Sequence, residues 1–195
     1  MTPKILVFAG SIRAGAYSGR TADIAQRELA RQGAEVTRIS LADYPLPIMD
    51  EDLEAENGVP ENAVKLARLF VAHDGILIAT PEYNGSLPPL LKNTIDWISR
   101  VREDGGRPLK ALPGRVVAIC SSSNGHFAGI RAASHLRQIL AHIQMDVIAP
   151  QVSVPDGAQA FDENGDFAPE RLRKSMATLG AALVEHAWLA SGRVR

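Results

Sequence analysis

Apolar residues fall along this chain in two rhythms. Ile5-Leu6-Val7-Phe8-Ala9, Gly75-Ile76-Leu77-Ile78-Ala79 and residues 115–120, centred on Val116-Val117-Ala118-Ile119, are short continuous runs, the pattern of strands covered on both faces. Residues 35–39 and 146–149 supply a second and a fifth strand. Between them the spacing becomes helical. Ile24, Ala25 and Leu29 mark a helix over 18–32, capped by Ser18 and stopped at Gly33. Val64, Leu66, Ala67, Phe70 and Val71 mark another over 60–73, opened by Pro60. A stripe from Leu87 through Leu91 and Ile95 to Val101 predicts a helix that ends before the polar turn 103–107; further helices are predicted over 129–142 and 169–190. The proline-rich stretch 43–50 is read as an extended loop, and 155–167 as an irregular arm.

Strands alternating with helices predict an α/β fold: a flavodoxin-like, doubly wound, five-stranded parallel sheet of order 2-1-3-4-5, with helices on both faces. In that order the loops after the first and third strands meet in one crevice. The chain, 1–195, is read as one such domain, with 155–195 forming the arm and a closing helix. Trp97 is open to two readings, packing on a partner subunit or burial within the monomer.

Composition removes several classes of function. Lys plus Arg number 21 against 22 Asp plus Glu, a formal net charge of −1, so no nucleic acid or anionic membrane is expected as partner. The single Cys120 excludes an internal disulfide and Cys-ligated zinc or iron–sulfur sites, and suits a reducing cytoplasm. Residues 1–4 lead straight into a strand with no signal-peptide pattern, and no run approaches membrane-spanning length. The five histidines have no Asp or Glu at ligand spacing, so no metal site is expected.

The candidate chemistry sits in loops. Gly10-Ser11-Ile12-Arg13-Ala14-Gly15-Ala16-Tyr17-Ser18 follows the first strand. Gly10 and Gly15 have the spacing of a Walker A loop, but Ala16 and Tyr17 stand where Lys and Ser or Thr are required, and the dinucleotide glycine fingerprint is absent. A phosphate monoester remains: Ser11 and Ser18 hydroxyls, amides of residues 13–18, and Arg13, whose charge-assisted contact contributes roughly 1.5–3 kcal/mol. The plain alternative is a polar turn before a capped helix. Pro81-Glu82-Tyr83-Asn84-Gly85-Ser86 offers a tight turn, backbone groups and an aromatic for the edge and face of a planar ring. Ser121, Ser122, Asn124 and Gly125 of the third loop add hydroxyls or amides at the ring or the sugar chain. A ligand with a phosphate at one end and a flat ring at the other is best matched by flavin mononucleotide (FMN). Arg131 is open to two readings, facing a nicotinamide nucleotide or a subunit, or simply solvated.

These loops resemble those of the NADPH-dependent FMN reductase family, which includes quinone, azo-dye and chromate reductases. The resemblance spans about 4–150 and is most specific in Pro81 to Ser86, continuing into Leu91-Lys92-Asn93-Thr94-Ile95-Asp96-Trp97. Gly10-Ser11-Ile12-Arg13 is similar to the family's phosphate loop. Ala16 and Ser18 stand where the family usually has serine and asparagine, and Phe127-Ala128-Gly129 replaces a more glycine-rich stretch. The resemblance implies an enzyme that moves hydride from NADPH or NADH through FMN to a quinone, flavin or other small electrophilic acceptor, in ping-pong order, as a homodimer or homotetramer. No catalytic side chain is implied, because the cofactor carries the chemistry. Arg100, Arg102 and Arg131 are the arginines available for a 2′-phosphate. The alternatives from other classes are a flavodoxin-like electron carrier and a flavin-binding regulatory module without NAD(P)H turnover.

Overall fold

The structure is a computed structural model and describes residues 2–192; the extreme ends of the predicted 1–195 domain lie outside the described residues. Five strands form a parallel sheet: β1 (Lys4–Ala9), β2 (Glu35–Ile39), β3 (Gly75–Pro81), β6 (Val116–Ser122) and β7 (Asp146–Val154). Their order is β2-β1-β3-β6-β7, the predicted 2-1-3-4-5 once the short hairpin strands β4 (Glu103–Asp104) and β5 (Arg107–Pro108) are numbered in sequence. The hairpin replaces the predicted polar turn, and Gly105 and Gly106, both at positive φ, make its bend.

Alternation along the central strands feeds two cores. Ile5, Val7, Leu77, Ala118 and Cys120 face α1 (Tyr17–Arg31) and α6 (Glu170–Ala190). Leu6, Phe8, Ile76, Ile78, Val117 and Ile119 face α3 (Glu61–Ala72), α4 (Pro89–Arg100) and α5 (Ile130–His142). The helical spacing read from the sequence supplies the opposing surfaces: Ala22, Ala25 and Leu29 on α1, Leu66 and Phe70 on α3, Leu91, Ile95 and Ile98 on α4. Each fully buried large side chain contributes about 1.5–3 kcal/mol.

Three features depart from the expectations, and the two readings of Trp97 are decided for burial within the monomer. Ser18 does not cap α1: the cap position is Ala16, without a side-chain bond, and Ser18 is already helical and buried. Helix α2 (Glu51–Asn57) follows the proline-rich loop, capped by the Asp50 carboxylate, which accepts from the Asp52 and Leu53 amides. It buries no residue, so it left no apolar stripe to read. Strand β7 runs on past 149 to Val154, because a register shift between Val117 and Ile119 accommodates Pro150. Trp97 packs within the monomer, fully buried, its Nε1–H donating to the Pro47 carbonyl at 2.8 Å. Asn93 reinforces that tether, donating to Pro47 O at 2.8 Å and accepting from Met49 N at 2.8 Å. The loop over the strand ends is thus pinned to α4.

Candidate active site

The C-terminal ends of β1, β3 and β6 converge on a cleft of about 280 Å³. The loop after β1 contributes Ser11, Arg13, Ala16, Tyr17 and Ser18, the loop after β3 Pro81, Glu82 and Tyr83, and the loop after β6 Ser122, Ser123 and Asn124. This is the switch point between β1 and β3, where doubly wound sheets bind ligands. A larger hollow, about 460 Å³ beside Gln32, Gly33 and Trp188, lies at the opposite end of the sheet.

The first loop delivers the start of α1 into the cleft without a competing group. Its first-turn amides have no intrahelical acceptor, the cap residue Ala16 offers no side-chain acceptor, and no acidic residue stands in the first turn. The positive end of the helix dipole is therefore available to an anion. Ser11 Oγ accepts from Arg13 N at 3.3 Å, and Arg13 Nη1 donates to Ala14 O at 3.2 Å, leaving its exposed guanidinium in the same loop.

Two hydroxyls decide whether a ligand fits. Ser18 is 1% exposed and Ser122 2% exposed, and the Oγ of each is buried without a hydrogen-bonding partner. Buried polar atoms are normally satisfied, and each unmet one costs about 1–3 kcal/mol. Both sit in the wall of this cleft, where a phosphate and a polyhydroxyl chain would supply the missing bonds. The residues present fit FMN.

Parity along β6 explains the third loop. Ser122 falls on the face shared by Ala118 and Cys120, toward α1. Ser121 falls on the opposite face, where its hydroxyl donates to Ala128 O at 2.8 Å and lies 2.9 Å from Ser153 Oγ. The Ser121 hydroxyl is thus committed within the fold, and Ser121 is not among the residues that line the cleft. Gly125 is outside the cleft, its amide donating to Ser123 Oγ at 3.1 Å, and Ser123 takes a place in the wall. Ser123 belongs to the same serine run, and nothing in the run distinguishes it by residue type.

In the second loop Asn84 and Gly85 have φ of 50° and 81°, the pair of left-handed residues a type I′ turn requires. Tyr83 and Ser86 close the turn by exchanging amide bonds of 2.9 and 3.1 Å. Asn84, Gly85 and, in the first loop, Gly15 shape their turns without lining the cleft. Tyr83 stands 46% exposed at its mouth. The Glu82 carboxylate turns away, to α5: its Oε1 accepts from Arg131 Nη2 at 2.5 Å and Nε at 2.8 Å, and its Oε2 from the Arg131 amide at 3.2 Å. One turn along α5, His135 Nδ1 lies 3.0 Å from Ser86 Oγ. Arg131 is thus paired with Glu82 while its side chain stays 54% exposed. Arg100 is likewise paired, to Glu54 Oε2 at 2.7 Å.

The family model for NADPH-dependent FMN reductase matches residues 3–159. The chain belongs to that family. A quinone reductase of Escherichia coli K12 is 38% identical over 146 residues, 74% of this chain and 73% of the relative. An NAD(P)H-dependent FMN reductase of Pseudomonas aeruginosa is 34% identical over 173 residues, 88% of each chain. Among solved structures, the flavoenzyme NAD(P)H:(acceptor) oxidoreductase FerB of Paracoccus denitrificans superposes with a TM-score of 0.79 at 24% identity, covering 97% of this chain and 99% of that one, and supports the flavodoxin-like fold. This FMN reductase family member is an FMN-dependent oxidoreductase. Among the described residues no group of His, Cys, Asp or Glu gathers as a metal site, and no helix is long and apolar enough to cross a membrane.

Proposed function

We propose that this FMN reductase, working as one domain, carries hydride from NADPH or NADH to a small quinone-type acceptor. The observation that carries the reading is the pair of partnerless buried hydroxyls, Ser18 and Ser122, in a cleft that also holds Arg13 and the open N-terminus of α1. When bound, FMN supplies reversible hydride acceptance at N5 of its ring. Ser11, Arg13, Ser18 and the first amides of α1 bind the phosphate. Ser122 and Asn124 take the sugar chain, and backbone groups of Pro81, Glu82 and Tyr83 meet the ring edge. The ion pair to Arg131 keeps the Glu82 charge out of the cleft. Tyr83 offers an aromatic surface at the mouth for one planar partner at a time, so donor departs before acceptor enters, a ping-pong order. The likeness to a quinone reductase supports a quinone as acceptor. Phe127 and Ile130, exposed beside the cleft, support a second copy packing there as a homodimer or homotetramer. A single, buried Cys120 suits the cytoplasm.

The test is anaerobic. Protein reconstituted with FMN and desalted should bleach its flavin bands on addition of NADPH or NADH, at rates on the order of 1–10³ s⁻¹, and recover them on addition of a quinone. Bound flavin that stays oxidised would refute the reductase. Arg13→Ala is expected to weaken FMN binding about tenfold or more with the fold intact; unchanged affinity would sink the phosphate-loop assignment.

A further inference from the structure

Residues 155–168 leave β7 and return to α6 as a folded arm rather than a slack connection. Phe167 anchors it in the core beneath, fully buried. Asp162 braces its bend, accepting from the amides of Asn164 and Asp166 at 2.9 Å each. The arm then grips the first-loop side of the cleft. Phe161 stacks on Tyr17 with ring centroids 6.3 Å apart and planes 15° apart, Arg20 sits 4.1 Å over the Phe161 ring, and Arg27 donates to Gly165 O at 2.7 Å. It also holds the third loop: Gly157 N donates to Ser123 O at 3.0 Å and Ala158 N to Asn124 Oδ1 at 3.2 Å.

Gly157 shows what this grip is for. A Cβ there would lie 2.5 Å from Tyr17 Cδ2 and 2.7 Å from Cγ. Its φ lies outside the left-handed region, so backbone strain does not demand a glycine. The Tyr17 ring demands it. Tyr17 is the first residue of α1 and part of the cleft wall. A displaced ring would carry with it the amides that face the proposed phosphate.

We propose that Gly157 and Phe161 are positioning residues of the cofactor site, fixing Tyr17 and thereby the phosphate end of the cleft; this rests on the phosphate reading of the first loop given above. Gly157 lies within the family match and Phe161 just beyond residue 159, where that match ends. The contacts with Tyr17 act at the phosphate end, while the third loop is held through the backbone amides of Gly157 and Ala158, which side-chain substitutions retain; the Tyr17 contacts therefore govern preference for FMN over riboflavin, which has the same ring and no phosphate.

The experiment titrates flavin-free, full-length protein with FMN and with riboflavin, following flavin fluorescence, and records thermal unfolding alongside. Gly157→Ala and Phe161→Ala are expected to raise the Kd for FMN about tenfold and to leave the Kd for riboflavin within about twofold. Phe161→Tyr, which keeps the stacked ring, is expected to restore FMN affinity. Unchanged FMN affinity in both variants overturns the proposal, as does an equal weakening of both flavins, which would make the arm a general support. If the unmodified protein binds riboflavin as tightly as FMN, the phosphate reading itself has failed, and the proposal falls with it.

Discussion

Removing the Glu82 carboxylate measures how firmly the second loop is held to α5. Its side chain is 7% exposed and that of Arg131 54% exposed, so the pair stands between a surface and a buried salt bridge. An exposed pair contributes up to about 1 kcal/mol. The short two-point contact and the shielding of Glu82 put this one near that upper figure. Its second oxygen accepts from the Arg131 amide at 3.2 Å, an anion at a helix N-terminus worth roughly 0.3–1 kcal/mol. Glu82→Ala is therefore expected to destabilise by about 2 kcal/mol. The half-exposed Arg131 can hydrate, so no buried cation is stranded. At about 2–4 °C per kcal/mol for a domain of this size, Tm should fall roughly 4–8 °C. Arg131→Ala leaves a shielded carboxylate held by amides alone and should cost as much or more. A double-mutant cycle in urea is expected to give a coupling of about 1 kcal/mol. A Glu82→Ala protein within about 0.5 kcal/mol of the parent, or a coupling near zero, would refute the argument.

Three further outcomes are expected. Ser122→Ala removes a partnerless buried hydroxyl, so the flavin-free protein should gain up to about 1 kcal/mol in urea unfolding while FMN affinity falls; a loss of stability without flavin would show that the hydroxyl already has a partner. Trp97→Phe leaves a gap in the α4 core and removes one of the two donors to the Pro47 carbonyl, the Asn93 amide remaining, and should cost about 1–3 kcal/mol by chemical unfolding, with faster amide exchange in the 43–50 loop. Burial pushes the Cys120 thiol from 9.0 up to about 12. The folded form keeps its proton while the unfolded thiol ionises, so stability is lost as pH rises from 9 toward 12, with a slope approaching about 1.4 kcal/mol per pH unit. Cys120→Ala should remove that part of the alkaline loss, and native Cys120 should resist alkylation at pH 8.

The sheet was legible because its central strands are apolar on both faces, and continuous runs such as Ile76-Leu77-Ile78 have few other readings. The cleft was legible at its first loop, where the order of Ser11, Arg13 and Ser18 carries a chemical meaning by itself. Ser18 nonetheless lost one of the two roles expected of it: Ala16 holds the cap position, and the Ser18 hydroxyl is buried without a partner in the cleft wall. Ser121 and Ser122 are identical letters whose fates are set by strand parity, a rule that needs the end of β6 to be known to the residue. The Glu82–Arg131 pair spans 49 positions, and no periodicity within either segment reports it. Helix α2 escaped notice because a helix that buries nothing has no stripe; its only mark was Asp50 ahead of Glu51, Asp52 and Glu54.

The irregular pairing at Pro150 bears on a different matter from catalysis. β7 is an outer strand of the sheet, and an outer strand exposes amides and carbonyls on which another chain can build. Pro150 has no amide to offer, and the register shift around it breaks the row of groups that would template an incoming strand. At the other rim β2 is five residues long and carries Glu35 and Arg38. Newly made chains at high concentration therefore find little to zip onto along either rim, and copies that associate must meet through helices and loops, which keeps assembly separate from aggregation.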